Sequence, residues 1–214
     1  ATYFGRKRLL IFSGLLFTVS AIGTAFAWSF LSYNVFRIIG GIGIGLASNL
    51  SPMYIAEISP ARTRGRFVSI NQLTIVIGIL AAQIVNWLIA QPVPEGAGTE
   101  HILASWNGQY GWRWMFGAET IPAFLFFLLM FFVPESPRWL LKYGKDKEAA
   151  RILERVGGAQ YAAFEIEDVK KTLAGEEIAH VNFADLAEPR RLRIVLLGVF
   201  LAVFQQWCGI NVIF

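Results

Sequence analysis

The sequence is poor in the residues on which metal proteins, disulfide-rich scaffolds and most enzymes depend. Of its 214 residues one is cysteine and two are histidine, and His101, His180 and Cys208 are far apart in the chain. This excludes an internal disulfide framework and a sequence-local metal cluster. No combination of nucleophile, base and orienting residue stands out either. We therefore expect no enzyme, no metal and no organic cofactor.

Charge is also scarce, since only 16% of the residues are charged while 55% are hydrophobic. That balance lies outside the usual range of soluble globular domains. Five apolar stretches are about 20 residues long, enough for a helix to cross about 30 Å of hydrocarbon. The predicted spans are Leu9–Phe30, Phe36–Ile58, Phe67–Ala90, Trp114–Phe132 and Ile194–Phe214. The sequence therefore predicts an all-α membrane protein.

Basic residues are missing from two of the loops between these spans, 31–35 and 91–111. Of the 19 Lys and Arg, three lie in the opening segment, three in the turn after the second span and eleven between Arg138 and Arg193. Because basic loops stay in the cytoplasm, the start of the chain and segment 135–193 are predicted to be cytoplasmic parts of a multi-pass inner-membrane protein. The net charge of +4 then needs no nucleic acid to explain it.

The segment 135–193 mixes acidic and basic residues and predicts short helices against the membrane surface. Ser136 and Pro137 fit the N-cap and first position of a helix that extends to Tyr143. A second helix is predicted at 146–156, ended by Gly157 and Gly158, and a third at 163–173. We accordingly divide the chain at 1–134, 135–193 and 194–214. It begins close to one span and stops inside another, so we interpret it as part of a longer protein.

Three ionisable residues lie inside or at the edge of spans: Arg37, Glu57 and Glu119. A charge at mid-membrane costs from about 3 to more than 10 kcal/mol, so each is a functional candidate. Two interpretations are open for Arg37 and Glu119. Each side chain can reach the extracellular headgroups, or the arginine can pair with a carboxylate of another span. Glu57, at the cytoplasmic end, favours an ion pair between helix ends.

Side-chain amides interrupt two of the spans. Gln72, Ile75, Ile79 and Gln83 follow one face of the third span, and Gln205, Gln206 and Asn211 lie in the fifth. Amides donate and accept together, which suits a ligand rich in hydroxyl groups. They also form bonds between helices, worth about 0.6 kcal/mol each on average. Gly209 favours the cavity interpretation, because interrupted helices at membrane depth usually line cavities.

Small residues in the second span have two interpretations. The run Gly40, Gly41, Gly43 and Gly45 resembles a glycine-rich nucleotide loop only in composition, because no strand precedes it and it lies inside a span. Close approach of helix backbones is the favoured explanation.

Four motifs together resemble the sugar porter family of the major facilitator superfamily. The first is Ile39-x-Gly41-Ile42-x-x-Gly45, followed by Tyr54, Glu57 and Arg64; the others are Gly5-Arg6-Lys7-Arg8, Pro134-Glu135-Ser136-Pro137-Arg138 and Gln205-Gln206-x-x-Gly209-Ile210-Asn211. The resemblance covers the whole chain. It implies the major facilitator fold, with the five spans as spans 3 to 7 of twelve and an intracellular helical domain after Arg138.

The resemblance also implies roles for individual residues. Sugar hydroxyls would be bound by Gln72, Gln205, Gln206 and Asn211, in a cavity that Ile75 and Ile79 also line. A cytoplasmic gate network would contain Arg6, Glu57, Arg64, Glu135 and Arg138, and would keep the outward-facing state closed on the inside. Arg37 and Glu119 would serve proton coupling, together with an aspartate of the family's first span.

The implied function is transport of a pentose or hexose coupled to protons by alternating access, in a monomer surrounded by lipid. Glu119 favours symport, because the human-type facilitators of this family carry an apolar residue at the corresponding position. Ile79 points the other way, because xylose symporters carry glutamine there. A facilitative uniporter, a non-transporting sugar sensor and a polyol carrier are the alternatives.

Overall fold

The part of the chain that the structure describes consists of helices joined by short turns and connecting segments. This computed structural model describes residues 4–92, 94, 96, 98–176 and 189–207. The helices are α1 (Arg6–Ala25), α2 (Phe30–Ile58), α3 (Arg64–Ile89), α4 (Thr99–Ala104), α5 (Trp112–Ala118), α6 (Thr120–Phe132), α7 (Pro137–Lys142), α8 (Asp146–Glu176) and α9 (Pro189–Trp207), with a π-helical turn at Asn107–Gly111. Two compact units are distinguished, Ala1–Lys170 and Lys171–Phe214.

Four segments among the described residues are long and apolar enough to cross a membrane: α1, α2, α3 and Asn107–Phe132. They confirm the first four predicted spans. The fifth predicted span begins within α9, which reaches Trp207, and its last residues, 208–214, lie outside the described residues.

The turn between the first two spans is not where the sequence pattern placed it. The predicted loop 31–35 is helical, and the turn is formed by residues 26–29. Ser29 explains the difference, because its side chain accepts a hydrogen bond from the Ser32 amide while Ser32 Oγ accepts one from the Ser29 amide, both at 3.1 Å. This reciprocal cap starts α2 several residues earlier than hydropathy suggests.

Helix α1 is the centre of the first unit and packs closely against α2 and α6. A Cβ at Gly14 would lie 3.0 Å from the Cα of Phe127, and one at Gly40 would lie 2.4 Å from Ser20 Oγ. Such close contacts are typical of membrane helices that meet through small residues. Leu10 of α1, Leu50 of α2 and Met130 of α6 form a buried apolar core between the same three helices.

The predicted turn-rich loop 91–111 contains a short helix that the sequence pattern did not reveal. It is α4, only six residues long, and the π-helical turn follows it. Asn107 fastens this region to the end of α3, since its Nδ2 donates to the Gln91 carbonyl at 2.7 Å and its Oδ1 accepts from the Gln91 amide at 2.9 Å. The start of the fourth span is thereby held beside the end of the third.

The segment after α6 largely follows the prediction. Ser136 caps α7 by accepting a hydrogen bond from the Trp139 amide at 3.4 Å. Gly158 breaks α8 with φ 85° and ψ 173°, as predicted for the glycine pair, but the helix resumes at once instead of at Ala163. Lys170 pairs with Asp146, 24 residues earlier, so the two arms of α8 lie side by side up to Lys170.

Candidate functional site

A cluster of polar side chains joins three helix ends at one end of the first unit. We call it the Arg6–Glu57 cluster; its members are Arg6, Glu57, Glu135 and Ser136. Arg6 Nη2 lies 2.8 Å from Glu57 Oε1, with the two side chains 11% and 10% exposed. The other carboxylate oxygen, Glu57 Oε2, accepts a hydrogen bond from Ser136 Oγ at 2.5 Å. Glu57 thus links the start of α1 to the residue that caps α7.

Glu135 completes the cluster by capping α1 from a distant part of the chain. Its Oε1 accepts hydrogen bonds from the backbone amides of Arg6 at 2.9 Å and Lys7 at 3.0 Å. A carboxylate at this position satisfies free amides of the first turn and complements the positive end of the helix dipole. Gly5 leaves room for it, since a Cβ there would lie 2.4 Å from Glu135 Oε2.

The cluster is supported by two further contacts, which the sequence did not predict. Tyr54 Oη donates to the Pro134 carbonyl at 2.7 Å, and Lys7 Nζ donates to the Phe131 carbonyl at 2.8 Å. Tyr54 belongs to the same motif as Glu57, but the spacing of that motif does not indicate a partner 80 residues away. Together these bonds hold the start of α1 against the last turn of α6, and the end of α2 against the segment that follows α6.

Among the residues that the structure describes, no ion pair joins Arg64 to Glu57, so their membership of one network stays a prediction. Arg64 is exposed at the first position of α3, and its charge acts on Tyr161 of α8. Burial raises the pKa of the Tyr161 hydroxyl, the nearby Glu165 raises it further, and Arg64 partly opposes both effects. Arg138 is half-buried at the second position of α7, two residues after Ser136.

Arg37 and Glu119 line one cavity of about 340 Å³ between α1, α2 and α6. Ser20, Gly40 and Gly41 leave the space, because none of them has a large side chain. The guanidinium of Arg37 lies over the Phe116 ring, 5.3 Å from its centroid. Among the described residues no ion pair joins Arg37 to Glu119. The cavity therefore presents a cation and a carboxylate that face a shared space without neutralising each other directly.

The amide face of α3 is open in the described structure. Gln72 and Ile75 are exposed and Ile79 is half-buried, and α3 contains no buried residue at all. Asn71, one position before Gln72, accepts a hydrogen bond from Ser51 Oγ of α2 at 3.3 Å. The backbone of Gln205 and Gln206 is helical within α9, whereas their side chains and the whole of Asn211 lie outside the described residues.

Comparison with known proteins agrees with these features. A family model described as "Sugar (and other) transporter" matches residues 1–214. The D-xylose-proton symporter of Escherichia coli (strain K12) is 39% identical, over 98% of this chain and 44% of its own length. The glucose transport protein of Synechocystis sp. is 41% identical over the same shares of the two chains.

A solved structure shows the same architecture. The proton:xylose symporter XylE bound to 6-bromo-6-deoxy-D-glucose superposes with a TM-score of 0.82 at 37% identity, over 99% of this chain and 46% of that one. The chain thus spans less than half the length of the relatives that it matches. At this identity the likeness extends beyond the fold to the sequence.

Proposed function

The chain belongs to the sugar transporter family, and from this premise we propose that the protein moves a pentose or hexose across the cell membrane together with protons. Transport follows an alternating-access cycle around a site near the middle of the membrane. The proposal concerns the whole protein in which these residues stand, because the relatives are more than twice as long as this chain.

The observation that carries proton coupling is the cavity shared by Arg37 and Glu119. Ionisable residues are kept at membrane depth where they serve a function. A proton taken up by a carboxylate in this cavity weakens its attraction for Arg37 and so shifts the balance between conformations. We assign proton uptake to the family's first-span aspartate, with Arg37 as its partner and Glu119 beside them. The proton is the coupling ion, and no cofactor is required.

The Arg6–Glu57 cluster supports a second part of the proposal, a gate on the cytoplasmic side. Its bonds tie the ends of three segments that must separate if this side of the protein opens. They therefore stabilise the outward-facing state, and their loss favours the inward-facing one. We include Arg64 and Arg138 in the gate from the family resemblance and from their positions in the first turns of α3 and α7. The orientation proposed from the basic residues places this end and segment 135–193 in the cytoplasm.

The sugar site is proposed at Gln72, Gln205, Gln206 and Asn211, with Ile75 and Ile79 in its wall. The exposed side chain of Gln72 on α3 supports it, because a side-chain amide on a membrane span is stabilised by a hydrogen-bonding ligand. On this proposal residues 1–134 belong to the N-terminal bundle, 135–193 to the cytoplasmic helical domain and 194–214 to the first span of the C-terminal bundle. The protein acts as a monomer in the inner membrane.

Proteoliposomes containing the full-length protein test the proposal. Addition of external xylose or glucose should make the external medium more alkaline, because protons enter with the sugar. Sugar counterflow without alkalinisation would replace symport by facilitated uniport. Neither signal with any pentose or hexose, in protein that binds sugar, would favour a sensor.

A further inference from the structure

An apolar groove lies on the side of Asn107–Phe132 that faces away from the Arg37 and Glu119 cavity. Tyr110, Trp114, Gly117 and Ile121 line it, at successive spacings of four, three and four residues, which places them on one face of the helix. Glu119 and its neighbours Pro122 and Ala123 point to the opposite face. The groove is therefore separate from the cavity to which we assign proton coupling.

The groove has the dimensions of one lipid chain. Its volume is about 560 Å³, and its other walls are formed by Ile22 and Ala25 of α1, by Phe26 in the turn after α1, and by Ile89 of α3. From Tyr110 to Ile121 a helix rises about 16 Å, close to the roughly 15 Å of hydrocarbon in one membrane leaflet. Gly117 faces Ala25, since a Cβ on it would lie 3.6 Å from the Cβ of Ala25, and the absence of large side chains at these two positions leaves room in the groove.

Arg113 lines the groove and also lines a second cavity of about 420 Å³, together with Trp28 and Tyr33. Its guanidinium lies 4.5 Å from the Trp112 ring, and Nη1 donates to the Ala25 carbonyl at 3.2 Å. No carboxylate pairs with Arg113 in the part of the chain that the structure describes. Its other N–H groups are available to an acceptor from outside.

The chemistry around Arg113 suits a phosphate at the membrane surface. A guanidinium binds phosphate oxygens in a bidentate manner. Exposed indoles, here Trp28 at 80% and Trp114 at 62% exposure, are typical of the interface where headgroups lie. The groove lining contains no carboxylate that would receive an ammonium group. A headgroup with a net negative charge therefore complements this site better than a zwitterionic one.

We propose that this groove binds one molecule of an anionic glycerophospholipid, with a chain along Tyr110 to Ile121 and the phosphodiester on Arg113. The proposal depends on the membrane location given above and not on the sugar or on proton coupling. In the proposed orientation the lipid belongs to the outer leaflet.

Native mass spectrometry of the purified full-length protein, titrated with lipids in the absence of sugar, tests the headgroup. Phosphatidylglycerol should bind more tightly than phosphatidylethanolamine with the same chains. Arg113→Gln should lower the affinity for phosphatidylglycerol about tenfold, because the loss of about 1.4 kcal/mol from a charge-assisted hydrogen bond corresponds to a factor of ten. The affinity for phosphatidylethanolamine should not change. Arg113→Lys should fall between, since it keeps the charge and loses the fork.

Arg66→Gln is the matched control, because it removes an exposed arginine near the other membrane end. An equal loss of phosphatidylglycerol in Arg66→Gln and Arg113→Gln would mean diffuse attraction and would overturn the proposal. So would an unchanged affinity in Arg113→Gln.

A second variant tests the groove itself. Ile121→Trp narrows its deep end and should weaken long-chain phosphatidylglycerol several-fold while dihexanoyl phosphatidylglycerol is unaffected. Ile121 is 75% exposed, so the larger side chain can be accommodated without disturbing the core. Leu129→Trp, 53% exposed on the same helix and outside the groove, is the control and should bind both lipids normally. If the wild type, Ile121→Trp and Leu129→Trp bind long-chain phosphatidylglycerol equally, the groove is excluded as the site of the acyl chain.

Discussion

Gly5 and Glu135 are fitted to each other: the backbone of Gly5 adopts φ 83° and ψ 162°, and a Cβ on it would lie 2.4 Å from Glu135 Oε2. The carboxylate can approach the first amides of α1 only because this position carries no side chain. The contact links a motif at the start of the chain to one 130 residues later. It is the most specific geometric feature of the proposed cytoplasmic gate.

We expect Gly5→Ala to displace the Glu135 carboxylate from the first turn of α1. The substitution imposes backbone strain of about 1 to 3 kcal/mol, because this conformation is almost restricted to glycine. It also costs the hydrogen bonds to Arg6 and Lys7. Thermal unfolding should report a lower Tm, and accessibility of an engineered cysteine on the cytoplasmic side should report a larger inward-open population.

Gly158→Ala separates these two effects. Gly158 has nearly the same backbone conformation, φ 85° and ψ 173°, but a Cβ there would meet nothing within 4 Å. It should lower the Tm through strain alone and leave the accessibility unchanged. If both variants shift the accessibility equally, the contact between Gly5 and Glu135 does not control the gate.

Glu57→Gln tests the ion pair at the centre of the Arg6–Glu57 cluster. The amide keeps the shape of the side chain but removes the charge opposite Arg6, and a hydrogen bond to a charged group contributes about 1.5 to 3 kcal/mol. The inward-facing population should therefore rise by about tenfold or more. Distance measurements by spin labels across the cytoplasmic side would detect the shift.

Asp146→Asn provides the comparison for Glu57→Gln. It breaks the ion pair between Asp146 and Lys170. Both side chains are 49% exposed, and exposed ion pairs contribute little to stability. No change in the spin-label distances is expected. A shift as large as that of Glu57→Gln would show that any loss of cytoplasmic charge opens the protein.

The sequence predicted the class of fold well and the contacts of the gate only in part. Hydropathy identified the spans because a membrane helix must be apolar along its whole length. It misplaced the turn at residues 26–29 because Ser29 and Ser32 decide that boundary by local hydrogen bonds. Tyr54 and Ser136 were missed as members of the gate region, since their partners are distant in sequence and nothing in local spacing encodes them.

The resemblance to a known family places Arg64 and Glu57 in one network, and that assignment stays a prediction; in the structure the charge of Arg64 lowers the pKa of Tyr161 against the effects of burial and Glu165. An exposed arginine on a long flexible side chain can reach several partners, so a motif alone does not determine which one it contacts. Arg37 and Glu119 were candidates because a charge is costly inside a span, and the structure places both in the lining of one cavity. Their role in proton coupling stays a prediction.

Glu119→Gln should weaken the coupling of sugar to protons while leaving sugar exchange intact. The substitution removes one charge from the cavity that Arg37 lines, and over several ångströms such a charge is worth about 2 kcal/mol at an effective dielectric constant near 20. Sugar-induced alkalinisation should fall several-fold in proteoliposomes while counterflow continues. Glu100→Gln, an exposed carboxylate in α4, should change neither. Full alkalinisation in Glu119→Gln would remove this residue from the coupling site.

Gln72→Ala and Gln206→Ala distinguish a sugar site from bonds between helices. A lost hydrogen bond to a neutral hydroxyl weakens binding by about 0.5 to 1.5 kcal/mol, or roughly twofold to tenfold. Isothermal titration with xylose and glucose should show such losses, with a larger one for Gln206→Ala, and the Tm should stay the same. Gln109→Ala, an exposed amide outside the stripe whose Nε2 donates to the Leu103 carbonyl at 3.1 Å, should bind sugar normally.

The double variant decides whether the two amides contact the same ligand. If they do, the losses in binding free energy should deviate from additivity by more than about 0.5 kcal/mol, because each amide orients the sugar for the other. A lower Tm with unchanged sugar affinity in both single variants would instead assign these side chains to helix packing. The sugar site would then have to lie on other faces of the spans, and the amide face of α3 would not bind sugar hydroxyls.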